Sequence, residues 1–147
     1  MWIRPMLLSD VDEIRNLECV IFSDAWSENN LKESIMSDMD YCFIMEDEYK
    51  IAAYIIFRVN GEEAELFRIA TDNEKRKKGC GQKLMTMMMS SLDSMGVKKV
   101  FLEVRSQNKP AISLYDRCGF KKIGIRKGYY NDPDDDAFIM LTSINNV

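Results

Sequence analysis

Ten residues in the middle of the chain, Lys75-Arg76-Lys77-Lys78-Gly79-Cys80-Gly81-Gln82-Lys83-Leu84, combine five cations with two closely spaced glycines ahead of a helical pattern. Glycine has no Cβ, so the backbone can turn tightly and approach a ligand closely. A helix starting there presents unpaired N–H groups and the positive end of its dipole. A pyrophosphate suits that combination. The spacing excludes two common nucleotide loops. A Walker loop needs Gly-Lys-Ser/Thr, but Gln82 follows Gly81, and a dinucleotide fingerprint needs a third glycine where Leu84 stands. The plainer reading of the same residues is a solvated basic turn before a helix.

Histidine is absent. Ser–His and Cys–His nucleophiles and the commonest metal ligand are thereby removed together. Cysteines occur at 19, 42, 80 and 118 without a Cys-x-x-Cys pair, so neither a zinc site nor a disulfide framework is expected, and no metal. Acid–base work falls to carboxylates, tyrosine, cysteine or lysine. In Val100–Arg105, alternation turns Val100, Leu102 and Val104 one way and Phe101, Glu103 and Arg105 the other. Glu103 then reads either as a base or as a surface residue paired with Arg105. Tyr115 reads as a proton donor or as a core tyrosine beside Leu114 and Phe120. Asn108 reads as a ligand contact or as a turn residue before Lys109-Pro110. Cys80, at a helix start among cations, has the setting of an activated thiol, though a spacer is the simpler assignment.

These residues need elements to hold them. Trp2–Leu7 reads as a strand, and Ser9 as the cap of a helix with Val11, Ile14, Leu17 and Ile21 at helical spacing. Ser27 caps a second helix carrying Leu31 and Ile35. Tyr41–Glu46, Ile51–Val59 and Ala64–Ala70 are strand-like with short polar turns, an antiparallel meander. A helical stripe from Leu84 to Met95, rich in methionine as core filler, ends at Gly96. Val100–Val104 is a strand, Pro110–Cys118 a short helix stopped by Gly119, and Phe120–Arg126 and Phe138–Leu141 close the sheet. Tyr129 and Tyr130 fall in the turn before the last strand. A strand–crossover–strand unit should be parallel, giving a mixed α/β fold with a partly antiparallel sheet.

At 147 residues, without repeats or linkers, the chain reads as one domain, 1–147. Net charge is −4, so no nucleic acid is expected as a partner. Apolar runs are too short for a membrane span, and the start lacks a signal-peptide core. A cytoplasmic location and no membrane partner are expected.

The order strand, Arg-x-x-Gly-x-Gly, helix, strand resembles the Gcn-five-related N-acetyltransferases (GNAT), and within them the RimI-type ribosomal-protein alanine N-acetyltransferases. Five segments carry it: Ala25-Trp26-Ser27; Leu66-Phe67-Arg68-Ile69-Ala70; the loop at 76–81; Leu102-Glu103-Val104-Arg105 with Asn108, Ala111 and Leu114-Tyr115; and Ile125-Arg126-Lys127-Gly128-Tyr129-Tyr130. The sequence departs from the family pattern at Ala25 (usually proline), Arg68 (often asparagine) and Lys75 (often aromatic).

The resemblance implies a GNAT fold of class α/β (α+β). Its mixed, mostly antiparallel sheet has six to seven strands flanked by about four helices, and a splayed strand pair takes acetyl-CoA. It implies acetyl transfer from acetyl-CoA to a protein N-terminal α-amine, namely the N-terminal alanine of a small-subunit ribosomal protein, by direct attack. The alternatives are a lysine or small amine as acceptor, or a non-catalytic acyl-CoA-binding module. Glu103 would be base and Tyr115 acid. Ile69, Ala70, Thr71, Arg76, Lys77, Lys78, Gly79, Cys80, Gly81, Gln82 and Asn108 would hold the cofactor, and Trp26, Phe67, Tyr129 and Tyr130 the substrate. Asp132, Asp134, Asp135 and Asp136 read as a solvated loop or as attraction for a cationic substrate.

Overall fold

The computed structural model describes residues 1–144. Seven strands form one sheet: β1 (Trp2–Pro5), β2 (Asp40–Asp47), β3 (Lys50–Asn60), β4 (Glu63–Thr71), β5 (Lys99–Arg105), β6 (Lys121–Tyr130) and β7 (Asp135–Ser143), in the spatial order β1-β2-β3-β4-β5-β7-β6. Among the described residues only β4 and β5 run parallel. Four helices, α1 (Val11–Ile21), α2 (Glu28–Met36), α3 (Cys80–Ser94) and α4 (Lys109–Arg117), cover the sheet. The expected class, strand number and helix number all appear.

The core has two layers because β3 is buried on both faces. Every residue from Ile51 to Phe57 is buried. Ala53, Ile55 and Phe57 meet Leu84, Met85, Met88 and Leu92 of α3, while Ile51, Tyr54 and Ile56 meet Val11 and Ile14 of α1 and Leu31 of α2. Continuous apolar runs of this kind suit strands covered on both sides. Ser27 caps α2, accepting from the Asn30 N–H at 3.0 Å. Ser9 does not cap α1. It lies in a single 3₁₀ turn, Leu8–Asp10, whose Asp10 accepts the Leu7 N–H at 2.7 Å and a two-pronged bond from Arg4. Asp10 thus closes the turn ahead of α1, and no side-chain hydrogen bond caps α1 itself.

Two irregularities of β4 shape everything that follows. Ile56 pairs with Arg68 and Phe57 with Leu66, so Phe67 is an extra residue without a partner on β3. Such a bulge reverses the side-chain alternation beyond it. In addition, β4 pairs with β5 only from Glu63–Lys99 to Leu66–Leu102. Beyond that point β5 continues on β7 to Arg105 while β4 continues on β3 to Thr71. The two strands splay apart, and the β5-facing edge of 67–71 has no ladder.

Candidate active site

The basic loop enters α3 with Lys77 and Gly79 both left-handed, at φ 65° and 77°. Gly79 accepts this geometry without a Cβ clash. Cys80 is then the first residue of α3. Gly81 serves a different end: a Cβ there would stand 3.1 Å from Leu114 Cδ2, so glycine lets α3 approach α4. A cleft of about 540 Å³ opens between this helix start, the free half of β4 and α4. Ile69, Ala70, Thr71, Arg76, Lys77, Gly79, Cys80, Gly81, Gln82 and Asn108 line it; Lys78 does not. Asn108 is also the N-cap of α4, its Oδ1 accepting the Ala111 N–H at 3.3 Å. Lys75 pairs with Asp47 at 2.9 Å and steadies the loop from outside.

Tyr115 lies in the wall of the same cleft. Its ring packs on Phe120 at 6.0 Å and is 7% exposed. Core packing and a position facing the cleft are thus combined in one residue. Burial pushes its phenol above the ordinary range, against a smaller opposing effect of the Arg68 charge.

Glu103 is the first residue of β5 beyond the split and lines a second pocket of about 410 Å³ with Arg58, Glu65, Phe101 and Arg126. Its partner is Arg126, Nε to Oε1 3.0 Å, and not Arg105. Arg105 instead donates to the carbonyls of Pro133 (2.8 Å) and Asn131 (3.2 Å), clamping the β6–β7 loop. Burial, and next the Glu103 charge, raise the Glu65 carboxyl above its usual range.

Tyr129 and Tyr130 do not lie in a turn. They end β6, where Tyr130 pairs with Asp135, because β6 runs four residues past the expected Arg126 across an irregular register. The rings meet edge to face at 5.0 Å. Arg105 covers Tyr130 at 4.3 Å and Arg126 flanks Tyr129 at 5.8 Å. The Glu103 charge raises the Tyr129 phenol, and burial pushes Tyr130 up to about 12. Neither lines the pocket itself. Trp26 and Phe67 pack at 6.1 Å, and Arg58, a wall of the pocket, sits 5.0 Å from the Phe67 ring centre. Asp135 is occupied by Ser106 and the Gln107 N–H, and Asp136 by the Gly128 N–H at 2.8 Å. These two carboxylates build the loop and are not left over for a ligand.

Sequence reasoning missed Glu18. It is fully buried, accepts the Trp26 N–H at 2.8 Å and the Tyr54 hydroxyl, and is forked by Arg68 at 3.0–3.3 Å. Arg68, one of the three departures from the family pattern, therefore has a buried counter-charge. The signal was present: positions 11, 14 and 18 share one helical stripe, and a carboxylate within it needs a cation.

Among the described residues, no group of three or more His, Cys, Asp or Glu is arranged to hold a metal ion. Among those residues no helix is long and apolar enough to cross a membrane.

A sequence model of the acetyltransferase (GNAT) family matches residues 11–120. The chain is 35% identical over 145 residues to the [ribosomal protein bS18]-alanine N-acetyltransferase of Escherichia coli (strain K12), covering 97% of each chain. It superposes on the crystal structure of the ribosomal-protein-S18-alanine N-acetyltransferase from Escherichia coli with a TM-score of 0.91 at 31% identity, covering 99% of this chain and 95% of that one. The fold is also that of Arabidopsis thaliana NAA60 in complex with acetyl-CoA, with a TM-score of 0.87 at 17% identity over 99% of both chains.

Proposed function

Because the chain belongs to the acetyltransferase (GNAT) family, we propose that it moves acetyl from acetyl-CoA to the α-amine of a protein whose first residue is alanine, a small-subunit ribosomal protein of the bS18 type. The substrate follows the activity for which relatives matching the chain nearly end to end are named. The observation that carries the site is the split of β4 from β5. It leaves a free strand edge at 67–71 and puts Glu103 immediately beyond the fork.

The pyrophosphate of acetyl-CoA sits on the N-terminus of α3, held by the loop N–H groups and the cations Arg76 and Lys77. The pantetheine lies along the free edge of β4 like an added strand. A β4 N–H polarises the thioester carbonyl. An α-amine has a pKa of about 8 against about 10.4 for lysine, so part of it is neutral near pH 7. As the neutral amine attacks and its nitrogen becomes cationic, Glu103 takes the proton that nitrogen sheds, directly or through one water. The neutral nitrogen attacks the thioester carbon, the C–N bond forms and the C–S bond breaks. Tyr115, on the cofactor side, gives its proton to the departing thiolate. The two pockets thus supply base and acid from opposite ends of the reacting centre.

The test is incubation with acetyl-CoA and such a ribosomal protein, the acetyl group being located by fragment mass spectrometry. Acetyl on the α-nitrogen of the first alanine supports the proposal. Acetyl confined to lysine side chains overturns it.

A further inference from the structure

The strand bulge at Phe67 has a consequence for the loop joining α1 to α2. On an unbroken strand Arg68 would follow Ala64 and Leu66 into the α3 layer. The bulge instead pairs it with Ile56 and turns it toward α1. There its guanidinium, 10% exposed, meets Glu18, 0% exposed. The same fork also reaches the 22–26 segment. Nη2 donates to the Asp24 carbonyl at 2.7 Å, and the guanidinium stands 3.8 Å from the centre of the Phe22 ring. Glu18 in turn accepts the Trp26 N–H at 2.8 Å. Both ends of the 22–26 segment are therefore held by one buried ion pair.

That segment touches the cofactor cleft directly and the Glu103 pocket through Phe67 and Arg58. Phe22 lines the 540 Å³ cleft, and Trp26 packs on Phe67 at the margin of the pocket that contains Glu103. We propose that Arg68 is a positioning residue for acetyl transfer: locked to Glu18, it fixes the Phe22–Trp26 segment between the cofactor and the incoming amine. The role rests on the function proposed above. A planar fork can hold a carboxylate and a carbonyl at once, whereas an ammonium is a point charge. Displacement of such a segment by even one ångström costs heavily in rate.

The test compares Arg68→Gln, Arg68→Lys and the double variant Glu18→Gln/Arg68→Gln in thermal melts and in kcat/KM for an alanine-starting peptide. Arg68→Gln leaves a buried carboxylate unpaired, so Tm falls, and kcat/KM falls about ten- to a hundredfold. In the double variant the unpaired charge is gone and Tm recovers, but the tether to Asp24 is still missing and kcat/KM stays low. Arg68→Lys restores the charge without the second arm and lies between. A double variant that recovers rate together with Tm overturns the role, as does an unchanged kcat/KM in the single variants. If Arg68→Gln does not fold, the double variant decides alone. The unaltered chain separates the two readings. Its failure to acetylate any peptide overturns the proposed function and this role together, whereas normal turnover with unaffected variants overturns this role only.

Discussion

Glu103 on β5 reaches across β7 to Arg126 on β6, placing Oε1 3.0 Å from Nε. Both side chains keep contact with solvent, 25% and 55% exposed, so the pair contributes no more than about 1 kcal/mol to stability. Removing the carboxylate should therefore cost chemistry and not folding. In Glu103→Gln we expect kcat to fall about a hundredfold or more while Tm and acetyl-CoA affinity stay close to those of the unaltered chain. Isothermal titration and steady-state kinetics measure both sides of that statement. A full rate in Glu103→Gln removes Glu103 from the base role.

Tyr115 gives the pH dependence. Burial raises its phenol, and a raised pKa on an acid means that the proton is kept to higher pH. The alkaline fall in kcat/KM that reports loss of this proton should thus lie above the ordinary phenol value of about 10. Through neutral pH the rate should only climb, following deprotonation of the α-amine near pH 8. Tyr115→Phe should lower kcat about a hundredfold and leave acetyl-CoA binding intact. An alkaline limb below pH 9 that vanishes in Tyr115→Phe would contradict the burial argument.

The two loop glycines should fail differently. Gly79→Ala places a Cβ on a backbone at φ 77° and should cost about 1–2 kcal/mol of stability. Gly81→Ala has no backbone strain but drives a methyl to 3.1 Å from Leu114. That change should part α3 from α4 and weaken acetyl-CoA binding more than it lowers Tm. Melts beside titrations distinguish the pair; equal losses in both quantities for both variants would refute the separate roles.

Direct attack requires no enzyme nucleophile. Cys80 Sγ is buried at the start of α3, with Met1 Sδ and the Lys75 carbonyl each 3.8 Å away. Cys80→Ala should keep turnover, and intact-mass measurement with acetyl-CoA alone should find no acetyl on this thiol. Abolished turnover together with an acetylated cysteine in the parent chain would establish a covalent route instead.

Much of this arrangement was legible from residue types. Alternation in Val100–Arg105 put Glu103 on the open face, and Gly79-Cys80-Gly81 located the helix start. What could not be read depends on contacts distant in sequence. The Phe67 bulge exists because β3 and β4 pair in two registers, which no local pattern encodes. The extension of β6 to Tyr130 depends on its pairing with Asp135 across an irregular ladder; Gly128 and the polar residues around it look like a turn. Glu18 stood visibly on the stripe of Val11 and Ile14, but its counter-ion Arg68 is turned toward it only by the bulge. Arg126 was visible in the motif, yet its pairing with Glu103 spans a strand that enters the sheet later in the chain.

The most direct test of the account is the rate of acetyl transfer to peptides identical except at their first residue, set beside an N-terminally blocked peptide with one internal lysine, at pH 7 and saturating acetyl-CoA. The alanine-starting peptide should lead the free-amine series and exceed the blocked lysine peptide in kcat/KM by about a hundredfold or more, in line with their neutral-amine fractions. A blocked lysine peptide acetylated as fast as the alanine peptide would contradict it.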